Sequence, residues 1–141
     1  MGTAPESELV GRTIAGKFAV ESRVGGGAMA VVYKARHLAL DKTIALKVMH
    51  RALAADPMFA ARFHREAQMA SRLDHPSSIR ILDFGEEPGD LLYIAMELVV
   101  GRDLHELISD EWPLGDARVI RILSQVLSAL SVAHELGIVH R

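Results

Sequence analysis

The chain has 141 residues, 50% of them hydrophobic and 24% charged, which is enough to bury the core of one domain. Its 16 Lys and Arg against 18 Asp and Glu give a formal net charge of -2, and this balance disfavours nonspecific binding to nucleic acid. The absence of cysteine excludes disulfides, thiolate metal sites and a cysteine nucleophile. The polar, acidic start has no apolar run typical of a secretory signal, and no stretch is apolar enough to span a membrane, so a cytoplasmic location is expected.

The first half of the chain is predicted to be rich in strands. Residues 1–13 are expected to be a flexible tail, with ordered structure starting near Lys17. Alternating apolar patterns predict strands at 18–24, 31–36 and 43–49 that form an antiparallel meander. Asp56 followed by Pro57 is a typical helix start, and the helical pattern continues to about Leu73.

The second half is predicted to begin with two strands and to end in helices. The strands cover 79–84 and 91–98 and are joined by a turn at 86–90, and the helices cover about 103–109 and 116–136. Strands first and helices afterwards indicate an α+β fold, because a doubly wound fold would alternate the two.

A glycine run between two predicted strands is the first candidate site. It reads Val24-Gly25-Gly26-Gly27-Ala28-Met29-Ala30. Glycines let backbone N–H groups approach phosphate oxygens closely, although a flexible hairpin turn would look the same. The flanking strands argue against a dinucleotide-binding oxidoreductase, whose glycines are followed directly by a helix.

Lys47 is the second candidate. On a strand of period two, Ala45 and Lys47 share one face, and the apolar residues around them share the other. A lysine in so apolar a strand needs an anion or water, so it either binds a ligand or reaches solvent at a sheet edge.

Glu66 is the third candidate. It falls on the predicted apolar stripe of the 57–73 helix, three residues after Phe63. A carboxylate on a packed face is expected to be paired, and Lys47 is the candidate cation. The alternative is a partly solvated Glu66 at the margin of the stripe with a nearby arginine as partner.

These features in this order resemble the amino-terminal half of a bacterial eukaryotic-like serine/threonine protein kinase domain. The family pattern Gly-x-Gly-x-x-Gly-x-Val matches Gly25, Gly27 and Val32, and its third glycine position is Ala30 here. The resemblance implies that the loop 24–30 covers ATP, that Lys47 holds its α- and β-phosphates, and that Glu66 orients Lys47.

The resemblance extends to the strand and hinge that hold adenine. It implies that the backbone at Glu97 and Val99 pairs with the base, that Met96 guards the back pocket, and that Asp103 contacts ribose. Val32 and Ala45 would cover the purine from above. The implied fold is a lobe at 14–98 with a five-stranded antiparallel sheet and one main helix. The hinge and the first helices of an incomplete helical lobe would follow at 99–141.

The last residues, Ile138-Val139-His140-Arg141, resemble the approach to the family's His-Arg-Asp catalytic loop. The catalytic aspartate and the magnesium ligands would come after them. The resemblance therefore implies a kinase that transfers the γ-phosphoryl of Mg-ATP to Ser or Thr hydroxyls of a protein substrate, and a 141-residue piece that is inactive alone. The alternative from another class is a catalytically dead module that binds nucleotide or a protein partner.

The helix 116–136 carries apolar residues on nearly all of its sides. A helix of this kind is normally packed against other elements on several sides. No predicted element of the chain supplies that packing. We therefore expect a large exposed apolar surface, which a partner or the rest of the helical lobe would cover.

Overall fold

The computed structural model describes residues 9–140. They form an α+β fold in which one antiparallel sheet is followed by two helices. The strands are β1 Thr13–Ile14, β2 Phe18–Gly26, β3 Ala30–His37, β4 Lys42–Met49, β5 Ile81–Glu87 and β6 Leu91–Glu97. The helices are α1 Arg51–Ala54, α2 Pro57–Ala70, α3 Leu104–Glu111 and α4 Asp116–Glu135.

The sheet has the strand order β1-β2-β3-β4-β6-β5. The meander predicted for β2, β3 and β4 is confirmed, since each pairs antiparallel with the next. β6 then pairs with β4, and β5 lies at the edge. The sheet therefore places the middle of β4, which carries Lys47, between two strands.

Ordered structure starts earlier than the sequence patterns predict. Leu9 is buried against the sheet, and Thr13–Ile14 form a sixth strand that pairs with the start of β2. The expected start near Lys17 and the expected count of five strands are therefore wrong. A two-residue strand is too short to show a period, which is why its sequence gives no signal. The first eight residues of the expected tail lie outside the described residues.

The main core covers one face of the sheet, which we call the core face. Apolar side chains from β1, β2, β3, β4 and β6 meet there, and the largest of those that are fully enclosed are Phe18, Ile14, Ile44 and Leu46. Alternation along β4 sends Ile44, Leu46 and Val48 to this face and leaves the odd-numbered residues to the other.

Helices α1 and α2 cover one end of the opposite face. There Ala30, Met49 and Leu92 pack with Ala54 of α1 and Phe63 of α2. Asp56 caps α2 by accepting a hydrogen bond from the Met58 N–H at 2.9 Å, with Pro57 at the first helical position, so the predicted helix start is confirmed.

The two edges of the sheet are tied to each other by side chains. The Lys17 ammonium lies 2.8 Å from the Asp83 carboxylate, and the Ala15 N–H donates to the Glu87 carboxylate. Both ties join the β1–β2 turn to β5, so the sheet is curled until its first and last strands come within side-chain reach.

The chain leaves the sheet at Glu97 and continues through residues 98–103 to α3 and α4. Asp103 caps α3 by accepting from the Glu106 N–H at 2.8 Å. α4 is the long predicted helix, and Ala133 is its one buried residue in the described part of the chain. Four of its large apolar residues are exposed, including Ile120 (64%) and Leu127 (64%), which confirms the expected apolar surface.

Candidate functional site

One row of residues runs across the sheet through Lys47. Gly25 pairs with Val32, Val32 with Lys47, and Lys47 with Ile94, so all four residues lie on the same face. Since neighbouring strands lie 4.7–4.9 Å apart, the Cα atoms of Gly25 and Lys47 are roughly 10 Å apart. The glycine run and the strand lysine are thus brought together as the sequence analysis predicts.

A second row lies beside the first. Ala45 pairs with Met96 on one side and with Lys34 on the other. Val32, Ala45, Lys47 and Met96 form the part of this face that α1 and α2 do not cover, and we call it the cleft face. Ala45 is buried, and Val32, Lys47 and Met96 are half-buried. The cleft face is therefore an apolar surface around the Lys47 ammonium, and Lys34, the neighbouring lysine on the same face, lies 3.5 Å from the Glu21 carboxylate.

Lys47 has no acidic partner among the residues that the structure describes. Within residues 9–140, neither an ion pair nor a hydrogen bond engages its side chain. A half-buried ammonium without a carboxylate partner is stabilised when an anion binds beside it. An incoming anionic ligand can supply that charge.

Glu66 lies outside the packed face of α2. Its side chain is exposed, whereas Phe63 and Ala67 are buried. At 100° per residue Glu66 stands 60° from Phe63 and 100° from Ala67, so it lies at the margin of the stripe. The predicted packed position is therefore wrong. In the described chain Glu66 pairs neither with Lys47 nor with a neighbouring arginine.

The glycine run forms the end of β2 and a tight turn into β3. Gly25 and Gly26 belong to β2, and the Gly27 N–H donates to the Ala30 carbonyl oxygen at 2.9 Å. A Cβ atom built on Gly25 or on Gly27 would meet no atom within 4 Å, so the space beside both glycines is open. Val24 in β2, and Ala28 and Met29 at the tip of the turn, are exposed.

Ala30 stands where the resemblance expects a third glycine. It is 6% exposed and packs against Met49 and Phe63 beneath the sheet. Its methyl group therefore packs into the cluster beneath α1 and α2. It leaves the open space beside Gly25 and Gly27 free.

The hinge segment after β6 offers free backbone groups at Val99, whereas Glu97 before it is hydrogen-bonded. The Glu97 N–H donates to the Arg80 carbonyl oxygen at 3.0 Å, and the Glu97 carboxylate accepts from the Arg80 N–H at 2.8 Å. Val99 is 64% exposed, and in the described part of the chain its N–H and C=O have no hydrogen-bond partner. Its donor and acceptor are therefore available to a planar ligand next to Met96.

Asp103 has a structural role in this conformation. Its carboxylate is held by the cap of α3, and it borders a shallow groove of about 380 Å³ between α3 and the start of α4. The groove is also lined by Arg102, Leu107 and Arg118, and it contains none of the cleft-face residues.

His50 is a residue that the sequence analysis missed. It follows β4 directly, and its ring Nε2 lies 2.9 Å from the Gly27 carbonyl oxygen. Its position three residues after Lys47 gives no periodic signal, because the contact depends on the conformation of the glycine turn.

Within residues 9–140 no group of three or more His, Asp or Glu side chains could hold a metal ion. None of the described helices is both long enough and apolar enough to cross a bilayer.

Comparison with known proteins shows which family model and which relatives this chain matches. A family model described as a protein kinase domain matches residues 18–141. Serine/threonine-protein kinase pkn3 of Myxococcus xanthus is 54% identical over 141 residues, which are 100% of this chain and 26% of that protein. Serine/threonine-protein kinase PrkC of Bacillus subtilis is 44% identical over 133 residues, which are 94% of this chain and 20% of that protein.

A solved structure shares the fold. The crystal structure of the Mycobacterium tuberculosis PknI kinase domain matches with a TM-score of 0.80 at 40% identity, covering 93% of this chain and 53% of that one. The chain therefore spans about half of a solved kinase domain and about a quarter or less of these two curated relatives.

Proposed function

This chain belongs to the protein kinase family, and on that premise we propose that it forms the nucleotide-binding half of an ATP-dependent protein serine/threonine kinase. Residues 14–98 would be the amino-terminal lobe, and residues 99–141 the hinge and the start of the helical lobe. The enzyme would transfer the γ-phosphoryl of Mg-ATP to a Ser or Thr hydroxyl of a protein substrate in the cytoplasm. The observation that carries the proposal is the unpaired Lys47 ammonium on the cleft face, in one row with the open Gly25.

The residues present fit ATP. Val32, Ala45 and Met96 supply an apolar surface of the kind that covers a purine, and the free backbone groups of Val99 suit its hydrogen-bonding edge. Lys47 supplies the positive charge that phosphates require, and the open side of the glycine turn gives room for them. Bound magnesium would neutralise charge on the transferred phosphoryl. We assign no magnesium ligand to residues 9–140.

Glu66 would orient Lys47 in the active enzyme. Because the two side chains are unpaired in this conformation, the role requires α2 to bring the exposed Glu66 toward the cleft face. Asp103, which caps α3, would contact the ribose of ATP. A polypeptide of these 141 residues alone would not transfer phosphate, because the catalytic aspartate of the family follows the His-Arg pair at its end.

The test compares two lysines on the same strand. Lys47→Met is expected to lower phosphoryl transfer by about 100-fold or more, because it removes the charge that positions the phosphates. Lys42→Met is the matched control, since Lys42 is exposed at the start of β4. The measurement uses the native protein from its own cells, with its intact mass determined first. It follows transfer of labelled phosphate to itself and to a general protein acceptor, with the melting temperature as a check of folding.

Retained transfer in the Lys47→Met protein would contradict the role of this lysine. A native protein that is stabilised by ATP but transfers no phosphate would instead support the alternative, a catalytically dead nucleotide-binding or partner-binding module. A protein stabilised by NAD and not by ATP would contradict both.

A further inference from the structure

His50 holds the glycine turn through two carbonyl groups. Its ring Nε2 lies 2.9 Å from the Gly27 carbonyl oxygen, and its backbone N–H donates to the Met29 carbonyl oxygen at 3.0 Å. A carbonyl oxygen can only accept, so Nε2 carries the hydrogen in this contact. One residue directly after β4 thus contacts both ends of the exposed tip of the loop, Gly27 and Met29.

The ring contact determines where one of the loop amides points. In a trans peptide the C=O and the next N–H point in opposite directions. Because the Gly27 carbonyl points toward His50, the Ala28 N–H points away from it. The N–H groups of Ala28 and Met29 have no hydrogen-bond partner among residues 9–140, so both donors are available.

The turn has little else to hold it. The Gly27 N–H to Ala30 carbonyl bond closes it, and a Cβ at Gly27 would touch nothing. Glycines also lose more backbone entropy on ordering than other residues. Without the His50 ring the Gly27 peptide would be free to rotate, and its neighbouring donor would lose its direction.

We propose that His50 is a positioning residue that holds the glycine loop so that the free Ala28 N–H faces the phosphate groups of the nucleotide. The inference rests on the proposed function, since it requires a nucleotide on the cleft face. His50 itself does not touch the nucleotide; it acts through the Gly27 and Met29 carbonyls.

The test separates the ring from its donor. His50→Phe keeps the ring volume and loses the Nε2 hydrogen, whereas His50→Gln loses the ring and keeps an amide donor at a similar reach. His105→Phe is the control, because His105 is exposed on α3. Calorimetry on the native protein measures the affinity of each variant for ATP and for adenosine, which lacks the phosphates.

We expect His50→Phe to weaken ATP binding about tenfold, the effect of one hydrogen bond, and to leave adenosine binding unchanged. His50→Gln is expected to recover most of the affinity for ATP, and His105→Phe to match the wild type. Equal losses for ATP and adenosine, or a wild-type preference for ATP that His50→Phe leaves intact, would overturn the proposal. A wild-type protein that binds adenosine as tightly as ATP would contradict the proposed function as well, so the two failures are distinguishable.

Discussion

Tyr93 lies on β6 opposite Gly85 of β5. Its side chain is 4% exposed and meets the ring of Phe18 edge-on at 5.8 Å. Burial raises the pKa of the Tyr93 phenol above its ordinary value, and the nearby negative charge of Asp83 raises it further. Its cross-strand partner is Gly85, and the ring occupies the space that a side chain at Gly85 would need.

Gly85→Ala is predicted to destabilise the protein by about 1–3 kcal/mol, the usual cost of overpacking a core. The new Cβ would lie 2.8 Å from the Tyr93 hydroxyl oxygen, and the buried ring has little room to move. Urea unfolding measures the change, and Gly25→Ala, whose Cβ would meet nothing, is the matched control. In a Tyr93→Phe background the cost is expected to fall, and an undiminished cost there would exclude the hydroxyl as its cause.

Single residues differ in how well the sequence predicts them. Lys47 could be placed from period two alone, because alternation decides the face of a strand residue. The burial of Glu66 could not be predicted in this way. A helical position at the margin of an apolar stripe is buried or exposed depending on how the helix is tilted on the sheet. His50 has no sequence signal, because its partners are backbone carbonyls of a turn whose conformation the residue types do not determine.

At the scale of elements, α3 and α4 are joined by a network of charges. Glu111 at the end of α3 accepts hydrogen bonds from Arg102 before α3 and from Arg118 in the first turns of α4, and Arg102 also lies 3.2 Å from Asp110. These two arginines lower the pKa of Glu111 below its ordinary value. A single exposed ion pair contributes little, but one carboxylate shared by two arginines forms a network that links the end of α3 to the start of α4.

Glu111→Gln is predicted to lower stability at neutral pH and to have less effect in acid. A carboxyl whose pKa is lowered by folding stabilises the fold above its unfolded pKa, and this contribution is lost as the pH falls through the folded value. Urea midpoints at pH 7 and pH 3 for the wild type, Glu111→Gln and the control Glu135→Gln measure it. A wild-type advantage over Glu111→Gln that is as large at pH 3 as at pH 7 would contradict the network.

The longer elements were predictable because they carry their own boundary signals. Asp56 and Asp103 precede α2 and α3, and both side chains accept capping bonds, of which the one at Asp56 was predicted from the sequence. The two-residue β1 and the four-residue α1 carry no such signal, since neither completes a period. Tertiary packing on the sheet determines them.

At the scale of the whole molecule, the sheet and the helices differ in how they are covered. The sheet buries the main core on its core face, and α1 and α2 cover one end of the other face. α4 exposes Ile120, Leu123, Val126 and Leu127 along one side. An apolar strip of this length is unusual for a surface helix and indicates that another surface covers it in the working protein.

A polypeptide of residues 1–141 is predicted to bind a hydrophobic dye through α4 and to self-associate as its concentration rises. Leu123→Gln with Leu127→Gln should reduce both effects and leave the helical circular dichroism unchanged. Leu38→Gln with Leu40→Gln is the matched control, because these two leucines are also exposed but lie in the β3–β4 turn. Equal reductions in the two double variants would show that the dye has no preference for α4.

The ties between the edges of the sheet have a kinetic consequence. Lys17 and Asp83 are 66 positions apart, and Ala15 and Glu87 are 72 apart. Closing a loop of this length in an open chain costs about 4 kcal/mol of entropy, by (3/2)RT ln n. Pairing of β4 with β6, as at Val48 and Tyr93, already brings the distant segments together at a smaller separation. We therefore expect the edges to meet late in folding, so that their ties slow the opening of the sheet more than they change the rate at which it forms.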